Sequence, residues 1–129
     1  MVLTSFVGVC SKPYWSTTGM HIHIFAAKPI GGSLQGQASE AIDLAYVPVD
    51  RLPTPCYWEH RQYIADAIAQ CSGLIWCNPT RAPDLFTTRQ GVYDWRDRSG
   101  LSRPAAYHAL MAMIGPQRLE LLVGSIHNE

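Results

Sequence analysis

The chain has no C-x-x-C pair, no net charge and no long apolar run, and each absence closes off a class of protein. Its four cysteines, Cys10, Cys56, Cys71 and Cys77, are scattered too thinly for a disulfide-built secreted scaffold, which predicts a reducing, cytoplasmic setting. Ten basic residues balance ten acidic ones, so no whole-molecule field draws in nucleic acid or an anionic membrane. No apolar run approaches the roughly 18 residues of a membrane span. The apolar start lacks a positive n-region and runs into Lys12 and Pro13 without a small-x-small cleavage pattern, which argues against a signal peptide. There is no G-x-S-x-G elbow and no Walker or Rossmann glycine pattern.

What is there describes a globular, loop-punctuated chain: 47% hydrophobic and 16% charged residues, with 10 Gly and 9 Pro. A length of 129 residues fits one domain, with room for an appended piece, and can bury a core without disulfides or metal. Residues 2–9 form a Val-, Phe- and Thr-rich run of β type. Residues 20–27 alternate, with Ile22 and Ile24 on one face and His21, His23 and Phe25 on the other, so the two runs predict a hairpin. Residues 41–49 read as a third strand, ended by Pro48 and Asp50, and residues 51–55 as a corner.

From 59 to 71, Tyr63, Ile64, Ala67, Ile68 and Cys71 form a one-sided stripe at helical spacing. Glu59 suits that helix start through the dipole, and Ser72-Gly73 offers a stop. Ile64 and Ile68 are thus expected to face the sheet, against Ile42 and Leu44, with Asp66 pointing to water. Residues 74–77 suggest a short strand, 84–95 a helix with Leu85, Thr88, Val92 and Trp95 on one face, and 104–114 a helix opened by Pro104. Residues 119–123 fit either strand or helix. The expected class is α+β: a small, mostly antiparallel sheet packed with helices.

Several residue sets invite a chemical reading. His21-x-His23 places two imidazoles on one strand face, a spacing metal sites use, with Glu59 and His60 as possible further ligands; a solvent-facing pair is the plainer reading. Cys71 and Cys77 are wrongly spaced for zinc fingers and read as buried thiols. Gly31-Gly32 precedes no obvious helix start, which leaves little basis for phosphate binding. Arg81, Arg89, Arg96, Arg98 and Arg103 cluster near Trp95, but Asp84, Asp94 and Asp97 dilute them into an internally paired surface.

Residues 8–69 resemble the second half of a Nudix hydrolase domain. The landmarks are Val7-Gly8-Val9 followed by Ser11-Lys12-Pro13, the apolar run 21–27 leading to Gly31-Gly32-Ser33-Leu34, the stretch 39–53 with Glu40, Tyr46 and a Leu52-Pro53 corner, and the stretch 60–68. The resemblance implies hydrolysis of a nucleoside diphosphate linked to another group, with Mg2+ as cofactor. It carries over one residue with a chemical role, Glu40, as a metal ligand or base.

The family's glutamate-rich box is not in this chain: no Arg-Glu pair and no two adjacent acidic residues occur. The resemblance therefore implies a Nudix-like partial domain at 1–72, truncated at its start and inactive alone, with a helical extension at 73–129. A truncated sheet predicts self-association, as a homo-oligomer or through exposed edges. The competing class is a non-enzymatic nucleotide-binding or protein-interaction module.

Overall fold

The computed structural model describes residues 1–16, 18–37, 43–54, 56–81, 88–114 and 117–124. Strands β1 (Val2–Lys12) and β2 (Met20–Lys28) form the expected antiparallel hairpin. Helix α1 (Trp58–Ile68) follows, then the short strand β3 (Leu74–Cys77), helices α2 (Arg89–Arg98) and α3 (Arg103–Ile114), and strand β4 (Glu120–Val123). The sheet order is β2-β1-β3-β4. β3 runs parallel to β1, while β4 runs antiparallel to β3, so the sheet is mixed and the class is α+β. β3 and β4, from beyond residue 72, thus complete the sheet that the hairpin begins.

The two faces of the hairpin separate as the alternation demands. Ile22 and Ile24 pack toward a core of Cys10, Tyr63, Cys71, Leu74 and Trp76, joined by Leu119 and Leu121. His21, His23 and Phe25 stand on the opposite, exposed face, where Phe25 packs at a tilt against Phe6 with ring centroids 5.3 Å apart. Helix α1 covers the core face. Gly8 is required where β1 meets β3, because a Cβ there would collide with the Leu74 backbone carbonyl.

Three expectations are corrected. Residues 43–49 are exposed and form no strand; both edges of β1 are already taken, by β2 and β3, and Pro48 enters a turn whose carbonyl accepts from Arg51 N–H at 3.0 Å. Ile42, the other half of that expected contact, lies outside the described residues.

The phase of α1 also differs: its buried residues are Glu59, Tyr63 and Asp66, whereas Ile68 is 53% exposed and Asp66 only 2%. Positions 59, 63 and 66 share one helical face, and polar partners on the sheet draw that face inward, leaving Ile64 half-buried and Ile68 exposed. The helix stops earlier than expected, at Ile68 with Ala69 as its cap; Gln70 then turns left-handed at φ 55°, and the Cys71 N–H bonds to the Asp66 carbonyl at 3.0 Å, closing the last turn.

Among the described residues α2 begins at Arg89, where Thr88 caps it, its hydroxyl accepting from the Gly91 N–H at 3.1 Å. The expected start at 84–87 lies outside the described residues. The 119–123 stretch resolves as strand β4.

Candidate functional site

β1 and β3 are parallel, and their carboxyl ends carry Lys12 and, one residue past β3, Asn78. The Asn78 N–H continues the pairing to the Ser11 carbonyl at 2.8 Å. The first turn of α1 sits at the same end and delivers Glu59 between them. Glu59 is 1% exposed and gathers four donors. Lys12 Nζ lies 2.5 Å from Oε1, while Oε2 accepts from the Tyr63 hydroxyl at 2.9 Å, from Asn78 Nδ2 at 3.1 Å and from the Cys10 thiol at 4.0 Å. A buried carboxylate survives only when so surrounded.

The electrostatics follow from that packing. Burial alone would raise the Glu59 pKa, but the hydrogen bonds from Lys12, Asn78 and Tyr63 and the Lys12 charge outweigh it and hold the carboxyl below its ordinary value. Burial pushes the Cys10 thiol up, so it is a protonated donor and no nucleophile. Burial, the bond to Cys10 and the Glu59 charge likewise keep the Tyr63 phenol protonated. The cluster fixes charge and geometry; it is poorly suited to passing protons at neutral pH.

Above this cluster opens a cavity of about 830 Å3. Four rings stand in its walls, Trp15 from the turn after β1, Tyr57 just before α1, Tyr93 on α2 and Tyr107 on α3, among apolar side chains such as Ile22, Val92, Leu110 and Ile114. Tyr107 meets Tyr57 edge-on at 6.4 Å and donates to the Cys56 carbonyl at 3.4 Å, which ties α3 to the start of α1. Lys12 Nζ sits 4.0 Å over the Trp15 ring and 5.4 Å from that of Tyr57, so the ammonium is held by one carboxylate and two ring faces. The Tyr57 hydroxyl is buried and makes no hydrogen bond among the described residues; burial and the Glu59 charge keep it protonated.

A second buried carboxylate, Asp66, anchors the other end of α1. It accepts the Trp76 indole N–H at 3.0 Å and the Gln62 amide at 2.7 Å. Trp58 donates to the Gln117 side chain, linking α1 to the segment before β4. Both ends of α1 are thus pinned by polar side-chain bonds.

Of the residues singled out in the sequence, Glu59 is central, but paired with Lys12 rather than arranged as a metal ligand. His60 lines the cavity and is exposed, while His21 and His23 stand on the sheet face opposite α1. Glu40 lies outside the described residues. Among the described residues no three His, Cys, Asp or Glu side chains come together in a group that could hold a metal ion.

Cys71 is buried, Cys77 half-buried, and all four cysteines are free. Gly31 and Gly32 are exposed and belong to no element. Arg96 pairs with Asp97 at 2.7 Å on the surface, as the interleaved charges suggest. No helix of the described residues is long and apolar enough to cross a membrane.

Sequence reasoning missed Lys12, Trp15, Tyr57 and Asn78 as members of one site. The available signal was the spacing Glu59, Tyr63, Asp66, a polar face on a helix whose apolar residues offer a competing stripe. No family model, curated protein or solved structure matches the chain.

Proposed function

We propose that this chain is a binding domain for a small molecule with a planar ring, and that the cavity over Lys12 and Glu59 is its site. One observation carries the reading: four aromatic side chains line a single cavity at the carboxyl ends of two parallel strands. In sheets with parallel strands that end is where ligands bind, because the loops and helix starts gather there. Ring-lined walls reward a flat ligand through stacking and burial of apolar area. The Glu59 cluster supports binding over acid–base catalysis, since its carboxylate is held ionised and occupied by donors.

A nucleoside ring is a ligand of this kind, so the nucleoside-diphosphate-linked compounds implied by the Nudix resemblance fall within the proposal. A link to Mg2+-dependent hydrolysis of such a compound rests on the resemblance and on Glu40 alone, and without the glutamate-rich box the chain by itself is expected to be inactive. A cytoplasmic setting belongs to the same proposal, supported by four free cysteines. The test is a calorimetric titration of the protein with a panel of flat ring compounds, nucleosides included, beside Trp15→Ala. The proposal expects saturable binding by at least one compound and its loss in the variant. No binding across the panel, or binding indifferent to Trp15, contradicts it.

A further inference from the structure

The hydrogen-bonding capacity left over at the floor of the cavity has one sign. Four donors already converge on Glu59, whose carboxylate offers about four lone-pair sites, so little acceptor capacity remains there. Donors, by contrast, are left over. An ammonium carries three N–H groups, and Lys12 spends one on Glu59; among the described residues its other contacts are the ring faces of Trp15 and Tyr57. Lys12 is 3% exposed and lines the cavity, so a ligand that fills the cavity takes over from water as the partner of those N–H groups. The Tyr57 hydroxyl is a second buried donor with no hydrogen bond among the described residues. Leaving buried donors unmet is costly, and a ligand acceptor removes the cost.

We infer that the ligand of this cavity carries an acceptor oxygen on its ring, a ring carbonyl or a carboxylate, which meets Lys12 and Tyr57. The inference rests on the cavity being a ligand site and adds the chemistry that selects the ligand. An organic cation is rejected twice: it meets the like charge of Lys12, and it finds the carboxylate occupied. A bare ring without the acceptor stacks on the walls but leaves both donors unmet.

The experiment is calorimetric titration of the wild-type chain and Tyr57→Phe with three probes of similar size. They are 2-naphthoate for the carboxylate, 2-quinolone for the neutral ring carbonyl, and 2-naphthylmethylammonium for the cation. At least one acceptor probe is expected to bind roughly tenfold or more tighter than the ammonium, the worth of one good hydrogen bond. Which of the two binds identifies the source of the oxygen. Tyr57→Phe keeps the ring and should narrow that preference, with its thermal unfolding unchanged as the check on folding. Equal binding of all three probes, tightest binding of the ammonium, or an unchanged preference in Tyr57→Phe overturns the inference while the cavity remains a ligand site. Failure of all three to bind overturns the cavity reading and this inference with it.

Discussion

Lys12 at the end of β1 and Glu59 in the first turn of α1 form a buried ion pair, Nζ to Oε1 2.5 Å, across 47 residues of sequence. The pair fastens the helix to the sheet at the mouth of the cavity, and it brings Trp15 and Tyr57 together around one ammonium. Its value lies in geometry more than in net stability, because removing two charges from water costs several kcal/mol that their attraction must offset.

Breaking that pair from one side should therefore hurt more than removing both halves. Lys12→Met leaves Glu59 buried and uncompensated and is expected to cost about 3–5 kcal/mol. Lys12→Met with Glu59→Met should cost clearly less than the two single changes added together. Urea midpoints of the four proteins measure the coupling. Additive losses would mean that the two side chains do not act as a pair.

The same carboxylate sets an acid limb of stability. Its folded pKa lies below the unfolded value, so its contribution is fully present above the unfolded carboxylate value, near pH 4.5. That contribution is lost as pH falls through the lower, folded value. Urea midpoints taken from pH 7 down to pH 3 should fall through this window in the wild type. Glu59→Gln, already less stable at pH 7, should fall less steeply. Identical slopes would remove Glu59 from the account.

On α1 the ordering of two substitutions separates the structure from the apolar-stripe expectation. Asp66→Ala strands the Trp76 indole N–H in the core and should cost about 1–3 kcal/mol, the penalty of an unmet buried donor. Ile68→Ala, at a position 53% exposed, should change stability by less than about 0.5 kcal/mol. Denaturant midpoints of the two variants decide it; a larger loss from Ile68→Ala would restore the other helix phase.

The alternation of residues 20–27 and the β-rich run before it made the hairpin readable, since period-2 burial leaves a direct trace in residue type. α3 was readable from Pro104 and its apolar spacing, and β3 from a four-residue apolar run bounded by Gly73 and Pro79. The inner face of α1 was not readable in this way. A hydrophobicity pattern assigns Glu59 and Asp66 to water, and only their partners, Lys12, Asn78 and Trp76, reverse the assignment. Those partners lie 10 to 47 residues away from the residues they bind. The strand expected at 41–49 failed over its described residues, 43–49, for a related reason: a β-type run becomes a strand only by pairing, and it is β3, not this run, that pairs with β1. The cavity drew its walls from four separate segments, so no local motif marked it.

Gly8 tests the parallel pairing that places the site. A Cβ at that position runs into the Leu74 carbonyl, so Gly8→Ala should push β3 away from β1 and cost about 1–3 kcal/mol, as overpacking does. Thermal unfolding reads the loss, and hydrogen exchange should show weakened protection at Cys10 and Trp76, which pair across the two strands. Wild-type stability in Gly8→Ala would contradict this register.

The most direct test of the cavity as a ligand site is a residue-resolved one. Amide and side-chain NMR shifts should be followed while the ring compound that binds tightest is titrated into the protein. Changes should concentrate at Lys12, Trp15, Tyr57, Tyr93 and Tyr107 and spare His21, His23 and Phe25 on the far face of the sheet. Saturable shifts gathered on that far face, or none around the cavity, would contradict the account.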